Sequence, residues 1–486
     1  MAGKKIYAFN VNKVKKQLVR SFRKQKNQGT IADLINYTGL PKVQVEETIP
    51  VILKEYNGHL KVNNQGDILY HFPHGMISNE KSFSARIKKF LSKGLSISKK
   101  ILSFAFKIWI VVMLVGYFIL FLALFLAALV ASIAASASNR NENRRGSGFG
   151  AFWLSSRLID VFIRVWFYSG MVRQRSKRGN PLHKSVFAYV FGEEDPNEDW
   201  EVIEKKLFFF FIQKNKGTIT IEEFIQLTGY DRDLAQDRLN RYLLEFEGEP
   251  QVTEGGQIIY YFEELLKTTA KLDPPQHRNK VFYNFNNNKK SLNTWITAIN
   301  GVNLLTSVYF LYYTLHLTSV TGRGFSFVYY FTFTLFRNLI NANPANFIFW
   351  ILGTIPGLFS LLFYLIPLIR NQFNNSKNEQ IRRENYRKHV YTELLSSDGT
   401  IQDLDLQPIG DVDKPFNWKK EKDKEINRLS LDNEMNIENK GTQNYHYIFP
   451  HFKEKQADLK NYRASIKNKN YDFGESIFDS NNEEIG

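Results

Sequence analysis

Gly66-Asp67-Ile68-Leu69-Tyr70-His71-Phe72 and Gly256-Gln257-Ile258-Ile259-Tyr260-Tyr261-Phe262 are two versions of one short segment, and their reading decides the fold. Each opening glycine follows another by 27 positions, Gly39 in Thr38-Gly39 and Gly229 in Thr228-Gly229. Upstream again stand Gly29-Thr30-Ile31 and Gly217-Thr218-Ile219. A looser third version runs from Gly399-Thr400-Ile401 to Tyr447-Ile448-Phe449-Pro450-His451, repeating Tyr70-x-Phe72-Pro73-His74. A segment met three times points to one supersecondary unit used three times.

The spacing predicts what that unit is. Val14, Leu18 and Phe22 recur at helical spacing, so the unit opens on a helix. Gly-Thr-Ile marks a turn or short strand. A second helix, Ala32–Tyr37, stops at Thr38-Gly39, and Pro41 suits the start of a third that turns Val45, Ile49, Ile52 and Leu53 inward. The strands Leu60-Lys61-Val62 and Asp67–Phe72 follow, joined by Asn63-Asn64-Gln65-Gly66, a hairpin signal. Alternation places Ile68, Tyr70 and Phe72 on the core and Lys61 in solvent, and Ile258, Tyr260 and Phe262 likewise on the core. Helix, short strand, two helices and a hairpin form a winged-helix-like arrangement. In the second version Leu234, Leu239 and Leu243-Leu244 mark the third helix, and Gln251-Val252 turns at Glu254-Gly255-Gly256.

Membrane-length apolar runs separate the three. Residues 108–138 carry no charge, and a helix of about 20 residues crosses a bilayer core. Further runs are 295–318 and 346–369, the latter with Pro356 and Pro367. Residues 149–171 are apolar but carry Arg157, Asp160 and Arg164 on one helical face, so they lie in the interface or cross beside the first span. Residues 324–340 are short, hold Arg337, and read as re-entrant. Basic residues crowd at Arg86 to Lys100, at Arg173 to Arg178, at Lys280 to Lys290 and at Arg370 to Arg387. By the positive-inside rule, 1–100, 172–290 and 370–486 face the cytosol, which demands even crossings between modules and leaves Arg140, Arg144 and Arg145 on the far side. The fold class expected is thus an α+β membrane protein: three winged-helix-like cytosolic modules plus α-helical transmembrane hairpins, three to five crossings in all. Its parts are module 1 at 1–80; a juxtamembrane and membrane region at 81–171, with helices 101–135 and 149–171; module 2 at 185–268; a membrane region at 292–370; a degenerate module 3 at 380–455; and a polar tail at 456–486. No secretory leader is expected, since the first 30 residues are basic and polar.

The stretch Ser185-Val186-Phe187-Ala188-Tyr189-Val190-Phe191-Gly192-Glu193-Glu194-Asp195-Pro196-Asn197 resembles a Phe-Gly-Asp-Gly-Asp-Pro-Asn segment in a family of uncharacterised membrane proteins of cyanobacteria, plastids and some other bacteria. In that family the segment also leads into a module opening on a Gly-Thr/Val-Ile/Val turn, and Glu194 stands where the family tends to have Gly. The resemblance covers about 185–262 and implies a membrane location and the same architecture. Read by itself, Gly192–Asn197 is an acidic, Pro-locked loop suited to capping a helix that begins near Glu198.

Charge and chemistry narrow the function. The net charge is +16, yet residues 1–100 hold 19 Lys/Arg against 6 Asp/Glu while 192–275 hold 9 against 19. Residues 4–26 carry nine Lys/Arg and no acid, suited to anionic lipid, to nucleic acid, or simply to a solvated helix face. A DNA-reading third helix would need cations, but the first offers Lys42, Gln44, Glu46, Glu47 and Lys54, and the second Asp231, Arg232, Asp233, Gln236, Asp237, Arg238 and Arg241; carboxylates there repel phosphate. With no cysteine, thiol, disulfide and cysteine-ligated cluster chemistry is excluded. No phosphate loop, dinucleotide fingerprint, zinc-protease motif or nucleophile elbow occurs. His71 and His74 lack companions at ligand spacing, and Asn300, Asn303, His316 and Arg337 either line a pathway or bond between helices. No catalytic, cofactor-binding or metal residue and no cofactor is therefore expected. The expectation is a non-enzymatic scaffold or assembly factor of the cytoplasmic (inner) membrane, multi-pass, with its modules in the cytosol. Its expected partners are membrane lipids and proteins of unidentified kind; nucleic acid is not expected, and a homo-oligomer is compatible. The alternatives are a membrane-tethered DNA-binding regulator and a transporter or channel subunit.

Overall fold

The computed structural model describes residues 9–77, 98, 101–138, 181–269, 279–340, 342–407, 416–439, 445–466, 471 and 473–480. The amphipathic segment expected at 149–171, with Arg157, Asp160 and Arg164, lies outside them, as do Arg140, Arg144 and Arg145. The chain divides into two bodies: one from 1–85, 196–282 and 377–486, the other from 86–195 and 283–376. Residues of the helix Ile355–Ser396 fall in both, so the break expected between a membrane helix ending at 369 and a module starting at 380 is bridged by one helix.

The first body contains three sheets. Gln28–Thr30 (β1), His59–Asn63 (β2) and Ile68–His71 (β3) form the first; Thr218–Ile219 (β4), Glu249–Val252 (β5) and Ile258–Tyr261 (β6) the second; Thr400–Gln402 (β7), Asn436–Asn439 (β8) and Tyr445–Ile448 (β9) the third. Their orders run β1-β3-β2, β4-β6-β5 and β7-β9-β8, with every pairing antiparallel. In each, the last hairpin strand lies between the short strand and its hairpin partner. Phe72, Phe262 and Phe449 then donate their amides to the carbonyls of Asn27, Gly217 and Gly399, at 2.9, 2.8 and 2.9 Å.

Local chemistry explains the helices of the first segment. Val11–Lys24 turns Val14, Leu18, Val19 and Phe22 inward, and Asn10 accepts from the Lys13 amide at its start. The next, Ile31–Thr38, opens on a capping box, in which Thr30 and Asp33 satisfy each other's free amides. It ends at Gly39, whose φ of 68° belongs to the left-handed region that glycine enters without strain. Lys42–Tyr56 is the third helix. Trp200–Lys214, Ile221–Thr228 and Arg232–Phe246 repeat this order, with the capping box Thr220/Glu223 and a left-handed Gly229. The hairpin turn is tied by the Asn63 side-chain oxygen, which accepts from the Gln65 and Asp67 amides at 3.0 and 2.8 Å.

Several expectations are corrected. The Gly-Thr-Ile triplets occupy different places. Bonding pairs Asn27 with Gly217 and the cap Thr30 with Thr220, so Gly29-Thr30-Ile31 lies two residues out of step with Gly217-Thr218-Ile219. Ile258 is exposed, and its neighbour Ile259 is fully buried beside Tyr260 and Phe262. The helix Pro450–Ser465 accounts for the burial of Ile259: Tyr462 bonds Gln251, the cross-strand partner of Ile259, and Asp458 bonds Gly255, so the outer face of the second sheet is partly covered too. Beyond residue 455, the expected polar tail completes that helix and then adds the strand Ser476–Asp479 (β10) to the outer edge of β2. Lys61, expected in solvent, pairs there with Asp479 at 3.1 Å. In the third segment 403–406 form a turn after β7, and the next helix among the described residues is Trp418–Asp432.

The second body is helical. Ile101–Ala134 and Pro344–Ser396 are the helices long and apolar enough to cross a membrane among the described residues. The run expected at 295–318 belongs to Lys290–Leu315, which buries Asn300, Asn303, Thr306 and Ser307 and is less apolar. Phe327–Leu339 covers the segment read as re-entrant, with Arg337 exposed. Ile110, Leu114 and Phe118 pack with Val186, Tyr189, Ile296 and Phe363. The π-helical turn Val112–Gly116 disturbs the regular bonding ladder, and Asn303 donates to the Leu114 carbonyl there at 2.7 Å. Asn300 donates to the Ser360 carbonyl at 3.0 Å. The two asparagines therefore bond between helices, while His316 lies exposed at a helix end.

Candidate interaction surfaces

Within the first body one pattern of bonds joins segment to segment. Lys205, on the first helix of the second segment, is buried. It bonds Glu245 of its own third helix at 2.8 Å and donates to the Gly39 carbonyl, the left-handed end of the preceding segment's second helix, at 3.0 Å. Arg387 stands in the corresponding place on Ile355–Ser396, eleven residues before the left-handed Asp398 as Lys205 is before Lys216. It bonds Glu425 at 2.8 Å and donates to the Gly229 carbonyl at 2.6 Å. Helix ends carry unsatisfied carbonyls and partial negative charge, so a cation aimed there is favourable. Gly229 is also required sterically, since a Cβ there would lie 2.2 Å from the Glu384 carbonyl oxygen.

A second bond recurs in the opposite sense. Lys42, at the start of the first segment's third helix, pairs with Glu247 at 2.6 Å and Glu264 at 3.3 Å. Burial lowers its proton affinity, but the two carboxylates more than offset this and hold its pKa above the usual lysine value. Arg232, at the start of the second segment's third helix, pairs with Asp432 of the third segment at 2.7 Å.

The capping carboxylates form a third link. Asp33, besides capping its own helix, accepts from the Thr268 hydroxyl at 2.6 Å and the Thr269 amide at 2.8 Å. Glu223 accepts a two-pronged bond from Arg463 at 2.7 and 2.8 Å. A bidentate guanidinium–carboxylate pair fixes geometry as well as contributing energy. Arg463→Ala should therefore loosen Pro450–Ser465 locally: its amides should exchange hydrogen about tenfold faster while those of Val11–Lys24 stay unchanged. Equal protection in variant and parent would remove Arg463 as the clasp.

Glu204 sits at the centre of the second segment with 1% exposure, accepting from the Tyr230 and Tyr242 hydroxyls at 2.5 and 2.8 Å. Burial first, and the Glu204 charge with it, push both phenols far above their ordinary range. The cluster fastens two helices and a loop around a satisfied carboxylate.

The residues singled out by sequence are dispersed. His71 lies near the His59 ring, centroids 5.8 Å apart, and no three His, Cys, Asp or Glu converge on a metal-sized site among the described residues. Asn197 does not cap the following helix, whose preceding residue Asp199 makes no side-chain cap; it exchanges two 2.8 Å bonds with the Val281 backbone instead. The third helices present Glu46, Glu47, Pro50, Val51 and Lys54 in the first segment, and Asp233, Leu234, Asp237, Asn240, Arg241 and Leu244 in the second. Lys205, Arg387 and Arg463 went unread as junction residues in the sequence; the signal there was a cation eleven positions before a left-handed residue, which Lys205 and Arg387 share and Arg463 lacks.

An uncharacterised chloroplastic protein of Arabidopsis thaliana is 22% identical to this chain over 395 residues, covering 76% of the chain and 70% of that protein. No family model matches. No solved structure matches either.

Proposed function

We propose that this chain is a multi-pass membrane protein that works as a non-enzymatic scaffold or assembly factor, through three winged-helix-like modules on the cytosolic side. The observation carrying the reading is the recurrent junction: a first-helix cation on a glycine-ended helix, which joins segment one to two and two to three by the same chemistry. Surfaces already used twice for protein–protein docking within the chain are suited to docking others. The shared strand order and the three Phe amide bonds support the winged-helix assignment. Lys42 and Arg232, at the start of the third helices, are committed to carboxylates, and Arg241 pairs with Glu245 at 2.6 Å. This leaves exposed acids where DNA phosphate would lie. The membrane reading draws on the apolar helices: Leu102, Trp109, Leu358 and Leu368 are 72, 50, 56 and 68% exposed, and such surface is stable against lipid rather than water.

The test has two arms. Reporter fusions after Asn197, Lys271 and Gly441 should all report the cytosol; a signal from the far side at Asn197 breaks the same-side topology. Affinity purification in mild detergent should recover defined protein partners, and Leu244→Glu, on the exposed face of a third helix, should lose at least one of them. Recovery of duplex DNA at physiological salt in their place would favour the regulator.

A further inference from the structure

The helix Val11–Lys24 has two opposed faces. Val14, Leu18, Val19, Ser21 and Phe22 are buried and hold it rigidly on the first segment. Lys13, Lys16, Arg20, Arg23 and Lys24 are all exposed and fall within about 100° of one another around the axis. Lys15 is spent on Glu55. Among the described residues none of the five is ion-paired; Arg23 donates to the Met76 carbonyl at 3.1 Å, and Lys24 lies 5.4 Å from the Tyr37 ring centroid. The helix contains no acid.

We propose that this face docks on the anionic headgroups of a lipid bilayer. The inference rests on the reading that the chain lies in a membrane. Five cations on one rigid face, none of them ion-paired among the described residues, match a negatively charged surface, and each adds attraction close to it. The stripe holds no large apolar side chain, so it adsorbs at headgroup level rather than inserting. A bilayer is within reach: Ile101 opens a helix long and apolar enough to cross, and the 23 residues between Ile77 and Ile101 span at most roughly 80 Å. Nucleic acid fits less well, because a winged helix offers its third helix to DNA, and here that helix exposes Glu46 and Glu47.

The chain has no cysteine, so a single Asn12→Cys, exposed beside the stripe, takes one fluorophore cleanly. The labelled full chain is reconstituted into nanodiscs whose headgroups carry a nitroxide quencher. Quenching should be about threefold stronger with phosphatidylglycerol than with phosphatidylcholine alone, and should fade at about 0.5 M salt. Lys16→Glu/Arg20→Glu should abolish the difference, and Lys16→Gln/Arg20→Gln should reduce it, with melting unchanged in both. Quenching equal in the two lipids, or untouched by the variants, overturns the inference, as does its loss to added duplex DNA. A chain that enters no disc overturns the membrane reading and this one with it; one that enters and shows no lipid-dependent quenching overturns this one alone.

Discussion

Arg387→Ala should destabilise the first body by about 3–5 kcal/mol, because it strands a buried carboxylate and a helix end together. Arg387 and Glu425 are 6% and 1% exposed, and the second Glu425 oxygen already lacks a partner among the described residues. Without the guanidinium, Glu425 must either ionise unpaired in the interior or take up a proton. The Gly229 carbonyl loses its donor at the same time. Scanning fluorimetry in detergent should show the transition fall by roughly 10 °C. Arg387→Lys should recover most of this, since at the corresponding junction the Lys205 ammonium reaches both Glu245 and the Gly39 carbonyl. The pair Arg387→Met/Glu425→Met should melt close to the parent, because removing both charges also removes the desolvation cost. A single alanine variant that melts like the parent would mean that water reaches the site and that the junction is not held by this pair.

Phe262→Ala is the second large effect expected, about 3–5 kcal/mol. Phe262 is fully buried with its ring edge against Phe208, centroids 5.0 Å apart. On another side lies Gly248, where even a Cβ would approach the ring to 2.4 Å. The space left by truncation is therefore bounded by the Phe208 ring and by the Gly248 backbone, which has no side chain to fill it. Lys61→Ala serves as the contrast. Its pair with Asp479 is one-third exposed on the lysine side, so its loss should cost about 0–1 kcal/mol. If Phe262→Ala and Lys61→Ala prove equally mild, the packing of the second hairpin strand is not as described.

What the sequence by itself determined is local. Thr38-Gly39 and Thr228-Gly229 end helices because glycine alone enters the left-handed region without cost, and that preference is written at the residue. The hairpin turns and the inward Tyr70, Phe72, Tyr260 and Phe262 were legible for the same reason: turn chemistry and alternation act over a few residues. The register between segments is also set locally, by the capping boxes Thr30/Asp33 and Thr220/Glu223, which place the two Gly-Thr-Ile triplets two residues apart although the triplets themselves are identical. The burial of Ile259 could not be read from alternation, which assumes one wet face; Pro450–Ser465, some 190 positions on, covers that face. Tertiary structure alone decided the junctions. Arg387 looks like any cation in a long helix until folding brings it to Gly229, and Arg463 until it meets Glu223. Residues 158 and 240 positions apart have no shared local signal; their meeting is set by the one hydrophobic core that runs through all three segments, and the polar bonds form where that packing leaves a carbonyl or a carboxylate to be satisfied.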